Sequence, residues 1–176
     1  MSFNITNNKT KHYISLALYI LMQKKEYEEL SVKEICEKAN VSRMSFYRYY
    51  SKKDDIFIDF TDERFEEFYN SIQKIKDLDS YKFVLEMFRY FKKYTRQIRI
   101  LIKAKKEHLL LAQFNNYATY ITRNVKTHRF DELKNNPLYP YYVAGGIFDI
   151  LMQFVTGKIT DSPEEVAMLI KEFGNE

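Results

Sequence analysis

The chain has 176 residues, enough for one or two small domains with packed cores, and its 45% hydrophobic content excludes a disordered protein. It has only three prolines and four glycines, and its apolar residues recur at spacings of three and four, which predicts an all-α fold. The formal net charge of +4 is uneven, because residues 1–53 hold 10 of the 28 Lys/Arg but only 5 of the 24 Asp/Glu, as expected of a polyanion-binding module at that end.

The N-terminal third reads as three short helices. The first is predicted from about Lys9 to Lys25. Ser31 with Glu34 three residues later is a capping box that begins the second. Asn40 tolerates left-handed φ at the end of that helix, and Ser42 is the N-cap of the third. A connection of about three residues sets the second and third helices at a steep angle, which is typical of a helix-turn-helix.

The rest of the chain reads as a second set of helices. A long fourth helix is predicted from about residue 53 to 76, and it links the two parts of the molecule. The next-to-last helix is predicted over 138–156 and is ended by Gly157. The last helix is predicted to follow Ser162, with Pro163 at its first position. Between them, further helices are predicted near 80–94, 96–104 and 107–130. The prediction is about nine helices, in two domains over residues 1–53 and 54–176.

The third helix has an unusual outer face. Phe46 and Tyr50 share the face that can pack inward, which leaves arginines and tyrosines pointing at water. The N-terminus of a helix in the major groove brings short side chains to base edges, so Arg43, Met44 and Ser45 are predicted to read bases. Arg43 is suited to a bidentate contact with guanine.

Residues 31–57 resemble the N-terminal DNA-binding signature of the TetR/AcrR family of bacterial transcriptional regulators. That pattern has a Thr/Ser cap, an Ile-Ala pair, Ala-Gly-Val-Ser, a small residue pair, an aromatic run, and Lys followed by acids and leucines. Three positions depart from it, since Asn40 and Met44 stand for common glycines and Cys36 for alanine. The matching positions are Ser31, Ile35-Cys36, Ala39-Asn40-Val41-Ser42, Met44-Ser45, Phe46-Tyr47-Arg48-Tyr49-Tyr50 and Lys53-Asp54-Asp55-Ile56-Phe57.

The resemblance implies a set of contacts with double-stranded DNA, on a palindromic operator. Tyr47, Tyr49 and Lys53 are expected to contact phosphates, as is Ser31 or Lys33 at the start of the second helix. The whole predicted DNA-binding set is Ser31, Lys33, Ser42, Arg43, Met44, Ser45, Tyr47, Arg48, Tyr49, Lys52 and Lys53.

The resemblance also implies that the second domain binds an effector. The region between the fourth helix and the last pair matches no pattern and is rich in aromatic residues, which suits a small apolar or aromatic molecule whose binding tilts the fourth helix. Aromatic residues at helical spacing also occur in ordinary cores, so this alternative stays open. The predicted pocket residues are Phe88, Phe91, Tyr94, Phe114, Tyr117 and Tyr120.

The last helix pair is the predicted homodimer surface, because one helix-turn-helix reads only a few base pairs and a two-fold dimer on a palindrome supplies the rest. Gly145 and Gly146 lower the stability of their helix, which indicates a close helix approach. The alternative is that the same apolar residues fill the core of one chain. The predicted interface residues are Ile147, Ile150, Leu151, Phe154, Leu169, Ile170 and Phe173.

Other chemistry is not indicated. The histidines and the single cysteine lack metal-ligand spacing, no Gly-rich phosphate loop occurs, and neither a cofactor nor an enzymatic activity is predicted. Cys36 is expected to pack as a small apolar residue. The sequence lacks a signal peptide or membrane-spanning run and has no cysteine pair, so a cytoplasmic location is expected.

The sequence therefore predicts a ligand-responsive dimeric repressor. A family member that activates transcription or acts through a protein partner is an alternative. A helical interaction protein with a vestigial helix-turn-helix is another.

Overall fold

The computed structural model of the chain describes residues 5–133 and 135–173. These residues form ten α-helices and one 3-10 turn, with no strand among them, which confirms the all-α prediction. The additional helix is a separate α8, which begins within the single helix predicted near 107–130. The elements are α1 Ile5–Leu21, η1 Tyr27–Glu29, α2 Val32–Ala39, α3 Arg43–Tyr47, α4 Asp54–Ile72, α5 Ser80–Lys92, α6 Thr95–Lys103, α7 Glu107–Asn124, α8 His128–Leu133, α9 Tyr139–Thr156 and α10 Pro163–Glu172.

The chain divides into two compact units. The N-terminal unit holds the described residues up to Asp62 together with Ile100–Leu110. The C-terminal unit holds Glu63–Arg99 and the described residues from Leu111 onward. No described helix is long and apolar enough to cross a membrane.

The core of the N-terminal unit is built from one face of each of its helices. Leu18 of α1, Ile35 of α2, Phe46 of α3 and Phe57 of α4 are completely buried and belong to one cluster. Leu101, which comes from a distant part of the sequence, is buried in the same cluster. Burial of such side chains stabilises the unit by roughly 1.5–3 kcal/mol each, so α3 is fixed chiefly by its packing.

The core of the C-terminal unit is largely aromatic, and α5 and α10 pack on each other within it. Phe68 and Phe88 are buried completely, and Arg89 of α5 pairs with Glu164 of α10 at 2.7 Å. The predicted signals of the last two helices are present: Gly157 has left-handed φ of 85°, and Ser162 with Glu165 forms a capping box ahead of Pro163.

One stripe of α9 faces inward and another faces solvent. Ala144, Phe148, Leu151 and Val155 are buried and follow helical spacing. The opposite stripe is exposed and contains Tyr142, Gly145, Gly146 and Asp149.

Candidate nucleic-acid interface

The turn between α2 and α3 has the geometry of a helix-turn-helix. Asn40 adopts a left-handed φ of 54°. Its N–H donates to the Glu37 carbonyl at 3.2 Å, and the N–H of Val41 donates to the Cys36 carbonyl at 3.0 Å. These two bonds are a Schellman motif, which ends α2 within one residue. Ser42 then caps α3, because its Oγ accepts from the N–H of Ser45 at 3.0 Å.

The five-residue α3 is anchored on one side and open on the other. Phe46 is completely buried and Tyr50, just after the helix, is 2% exposed. Met44 is 78% exposed and Tyr47 58% exposed, and Arg43 and Arg48 are exposed beside them. Phe46 and Tyr50 thus face inward, while Arg43 and Met44 of the predicted base-reading residues are exposed.

The outer face of α3 and the residues just after it carry positive charges that form no salt bridge. Among the described residues, no carboxylate lies within ion-pair distance of Arg43, Arg48 or Lys52. Tyr49 is half-buried with its ring 6.4 Å from that of Tyr50, and Ser45 is half-buried with its hydroxyl 2.9 Å from that of Ser42. Surplus arginine and lysine on one face favour a phosphate-bearing partner.

The start of α2 presents the remaining predicted contacts. Ser31 Oγ accepts from the N–H of Glu34 at 3.2 Å, and the Glu34 carboxylate accepts from the N–H of Ser31 at 2.9 Å, so the capping box is complete. Hydrogen bonds from Lys25, at 2.6 Å, and from Ser31 lower the pKa of Glu34 to about 2. The exposed ammonium of Lys33 lies 3.8 Å from Glu37.

Lys53 differs from the other predicted phosphate contacts because its ammonium is used inside the unit. Its Nζ donates to the carbonyls of Tyr27, Leu30 and Glu28 at 2.6, 2.9 and 3.4 Å. Its side chain is only 20% exposed. An ammonium has three N–H donors, so all of them have carbonyl acceptors around η1.

Tyr27 is the centre of that arrangement. Lys53 Nζ lies 4.2 Å and Lys106 Nζ 5.0 Å from the centroid of its ring, which is 2% exposed. The Tyr27 hydroxyl donates to Asp54, and Lys106 lies 3.5 Å from the same carboxylate and 3.3 Å from Glu28. Burial and the bond to Asp54 raise the pKa of Tyr27. Partial burial opposes ionisation of Asp54, but Tyr27 and Lys106 outweigh it and lower its pKa.

The turn into α4 is held by two aspartates. Asp55 Oδ2 accepts from the N–H of Ser51 at 2.8 Å and from that of Lys52 at 3.1 Å. Tyr50 donates its hydroxyl to Asp59 at 2.8 Å, and Lys11 of α1 pairs with the same carboxylate. Lys52 is therefore fixed through its backbone while its side chain stays exposed.

The residues around Tyr27 were missed by the sequence analysis, apart from Lys53 itself. Tyr27 and Lys106 are far apart in the sequence and belong to no motif. A possible signal was an aromatic residue among acids, Glu26-Tyr27-Glu28-Glu29, in a break between two helices of a basic region.

The predicted effector-pocket aromatics pack on other rings of the C-terminal unit. Phe88 meets Phe154 edge to face at 5.4 Å, Phe91 lies 6.3 Å from Phe114, and Tyr117 stacks on another ring, that of Phe65. Tyr120 lies 5.2 Å from Tyr69. Tyr94 donates its hydroxyl to Glu67 at 3.1 Å. Phe88 and Phe91 are buried in the core, Tyr94, Phe114 and Tyr117 are half-buried, and Tyr120 is exposed.

The predicted dimer residues divide between the inside and the surface. Leu151 is completely buried, and Phe154 packs on Phe88. Leu169 and Phe173 are 50% and 77% exposed. Ile147, Ile150 and Ile170 are half-buried. A Cβ added at Gly145 or Gly146 would meet no atom within 4 Å.

No group of three or more His, Cys, Asp or Glu in the part of the chain that the structure describes could hold a metal ion. Cys36 is buried, and its burial raises the pKa of its thiol. A protonated buried thiol reacts poorly with oxidants.

Comparison with known proteins agrees with this geometry. Residues 17–60 match the family model described as bacterial regulatory proteins, tetR family. No protein of curated function matches the chain in sequence. Lin0861 from Listeria innocua has a similar structure, with a TM-score of 0.82 and 16% identity over 99% of this chain and 93% of that chain. The structure of the dihydroxyacetone kinase operon activator DhaS is also similar, with a TM-score of 0.58 and 22% identity over 93% of each chain.

At these identities the two structures show a shared fold only. The family match spans the described helices from the later part of α1 to the first part of α4, including the whole of α2, its turn and α3. The chain therefore carries, in residues 17–60, the DNA-binding domain of a TetR-family bacterial regulatory protein.

Proposed function

We propose that the protein is a homodimeric transcriptional repressor that binds a palindromic operator and is released by a small-molecule effector. The DNA-binding domain supports the first part, since α3 is held by Phe46 and Tyr50 and presents Arg43, Met44 and Tyr47 to solvent. The observation that carries the proposal is this outer face, on which Arg43 and Arg48 are exposed and form no salt bridge among the described residues. In a major groove, Arg43 to Ser45 would meet base edges and Tyr47, Tyr49, Arg48 and Lys52 the phosphates.

Replacement of Arg43 tests base recognition. Arg43→Ala should weaken binding to the operator by about 1–3 kcal/mol and leave binding to unrelated DNA nearly unchanged, because a bidentate contact to guanine discriminates by that amount. The measurement is fluorescence anisotropy with a palindromic duplex selected from the DNA flanking the gene, and with a scrambled duplex of equal length.

Lys24→Ala is the matched control, since Lys24 is exposed and outside the predicted contact set. It removes the same charge and should leave the ratio of the two affinities intact. If Arg43→Ala keeps that ratio too, Arg43 is not a base-reading residue.

We further propose that Lys53 supports the DNA-binding surface rather than gripping phosphate. Its ammonium donates to three carbonyls around η1, and a phosphate would have to displace some of these bonds. Its neighbour Lys52 is exposed, and no carboxylate lies within salt-bridge distance of its ammonium among the described residues, although its charge helps to lower the pKa of Asp54. Lys52 is therefore the better candidate for the phosphate contact at the start of α4.

The two adjacent lysines distinguish support from direct contact. Lys53→Met should lower the free energy of unfolding by about 1–3 kcal/mol, because it leaves partly buried carbonyls without donors. Lys52→Met should leave unfolding unchanged and reduce the slope of log affinity against log salt by about 0.9, the value for one lost phosphate contact on B-DNA. Thermal melts and anisotropy titrations at several salt concentrations measure both. A slope reduced by Lys53→Met, with stability unchanged, would reverse the assignment.

For the homodimer, we propose that a second copy covers the exposed stripe of α9. That stripe holds Tyr142, which is 80% exposed, together with Gly145 and Gly146. Glycines on an outward face let another backbone approach closely. Leu169 and Phe173 of α10 supply further exposed apolar surface, whereas Leu151 and Phe154 serve the core of the chain itself.

Substitution of Gly146 tests this surface. Gly146→Leu should raise the dissociation constant of the dimer at least tenfold by filling the approach between helices. It should not destabilise the isolated chain, because leucine favours helix over glycine and its Cβ meets nothing within 4 Å. Sedimentation velocity over a concentration series measures the dissociation. Gly157→Ala is the control, since φ of 85° there makes it lower stability without affecting association. A wild-type chain that sediments as a monomer would refute the dimer.

Activation of transcription is the second candidate function, because DhaS, a protein of similar structure, is described as an operon activator. Repression and activation predict opposite changes in transcription when the gene is deleted. Deletion of the gene should increase transcription from the bound promoter under repression and decrease it under activation, as measured by a reporter fusion. We expect an increase; a decrease would favour the activator.

A further inference from the structure

A surface cleft in the C-terminal unit has the chemistry of a ligand site that the sequence analysis did not anticipate. It has a volume of about 570 Å³, within the usual range of small-molecule sites. Its walls come from the end of α7, the loop before α9 and the first turn of α9. The lining residues are Thr119, Arg123, Asn135, Asn136, Pro137, Pro140 and Tyr141. None of them belongs to the predicted aromatic pocket.

The polar groups of the cleft are mainly hydrogen-bond donors. Arg123 offers five N–H donors, and Asn135, Asn136 and Tyr141 offer amide and hydroxyl donors. The Oδ1 of Asn136 already accepts from the N–H of Leu138 at 2.9 Å, so its side-chain nitrogen remains to donate. Thr119 donates its hydroxyl to the carbonyl of Asn115 at 3.1 Å. No carboxylate is among the lining residues, so the donor set favours an anion.

Arg123 supplies the charge that such an anion requires. It is exposed in the last turn of α7, and it makes no ion pair or hydrogen bond with any residue in the described ranges. Two other arginines of the same unit are engaged, since Arg89 pairs with Glu164 and Arg99 Nε donates to the Val155 carbonyl. A guanidinium matches a carboxylate with two parallel hydrogen bonds.

The remaining walls are apolar and stiff. Pro137 and Pro140 contribute apolar rings to the lining, and Pro140 is buried. The loop is held by the bond from Leu138 to Asn136 and by the N–H of Tyr139, which donates to the Asn136 carbonyl at 3.3 Å. Two proline rings beside an arginine suit a flat apolar body attached to the anionic group.

We propose that this cleft binds a small organic carboxylate with an aromatic or other flat apolar body, its carboxylate on Arg123 and its body against Pro137 and Pro140. Only the statement that the ligand is the effector depends on the proposed function; the site itself does not. The ligand class then adds an anionic group to the small apolar or aromatic molecule expected from the aromatic residues.

Benzoate and benzamide are the probes, because they share a ring and differ in charge. Isothermal titration of the full chain without DNA should show saturable binding of benzoate and at least tenfold weaker binding of benzamide. Arg123→Gln should weaken benzoate at least tenfold, whereas Arg96→Gln, an exposed arginine of α6 in the same unit, should bind it as the wild type does.

Competition by inorganic phosphate distinguishes a site for organic anions from a site for any anion. Phosphate should compete poorly with benzoate. Amide chemical shifts of Asn135, Asn136 and Tyr141 in the wild-type chain should move with benzoate, which locates the site even if a variant folds poorly. Equal binding of benzamide, equal competition by phosphate, or shifts confined to other residues would each overturn the proposal.

The DNA experiment is read separately. Loss of operator binding in the presence of benzoate makes the ligand an effector. If the chain binds benzoate through Arg123 but never binds DNA, the proposed function fails and the cleft assignment stands. If it binds operator but not benzoate, the cleft assignment fails alone.

Discussion

The hydrogen bonds from Lys53 to the carbonyls around η1 are the constraint on which the DNA-binding surface depends. A charged group with 20% exposure must have its donors satisfied inside the protein or incur a large desolvation cost. Lys53 meets that requirement with Tyr27, Glu28 and Leu30. Because Leu30 directly precedes the cap of α2 and Lys53 directly precedes α4, the same three bonds fix the starting points of both helices. The turn and α3 lie in the chain between them.

This constraint matters because α3 is too short to be stable alone. A helix of five residues lies far below the length at which isolated helices persist in water. Its conformation comes from the Ser42 cap and the burial of Phe46 and Tyr50. Each outward residue therefore has its direction set by an inward neighbour one to four positions away. Substitutions in this buried set would alter recognition without touching DNA, through the angle at which Arg43 and Tyr47 leave the surface.

The features that the sequence predicted well depend on neighbours within a few residues. The capping boxes at Ser31 and Ser162, the left-handed Asn40 and the Gly157 helix end are each decided by local backbone chemistry, and all four are confirmed. Contacts between distant residues were not predictable in this way. Lys53 reaches carbonyls 23 to 26 residues away, and no spacing rule indicates that. The same limit applies to the middle aromatics, since periodicity cannot tell a ring that packs on rings from one that lines a cavity.

The two exposed glycines of α9 are explained neither by local backbone chemistry nor by contacts within the chain. Each lowers helix stability by about 1 kcal/mol relative to alanine. Neither needs positive φ, and neither has a neighbour that a Cβ would meet within 4 Å. Local geometry and packing within the chain therefore do not require them. A contact that brings another backbone against Gly145 and Gly146 would offset that loss of stability. Tyr142 beside them offers a large apolar face for such a contact. The exposed apolar residues of α10 are weaker evidence for a dimer contact. Leu169 is a good helix former and Phe173 lies at the helix end, so neither lowers the stability of its helix as the glycines of α9 do.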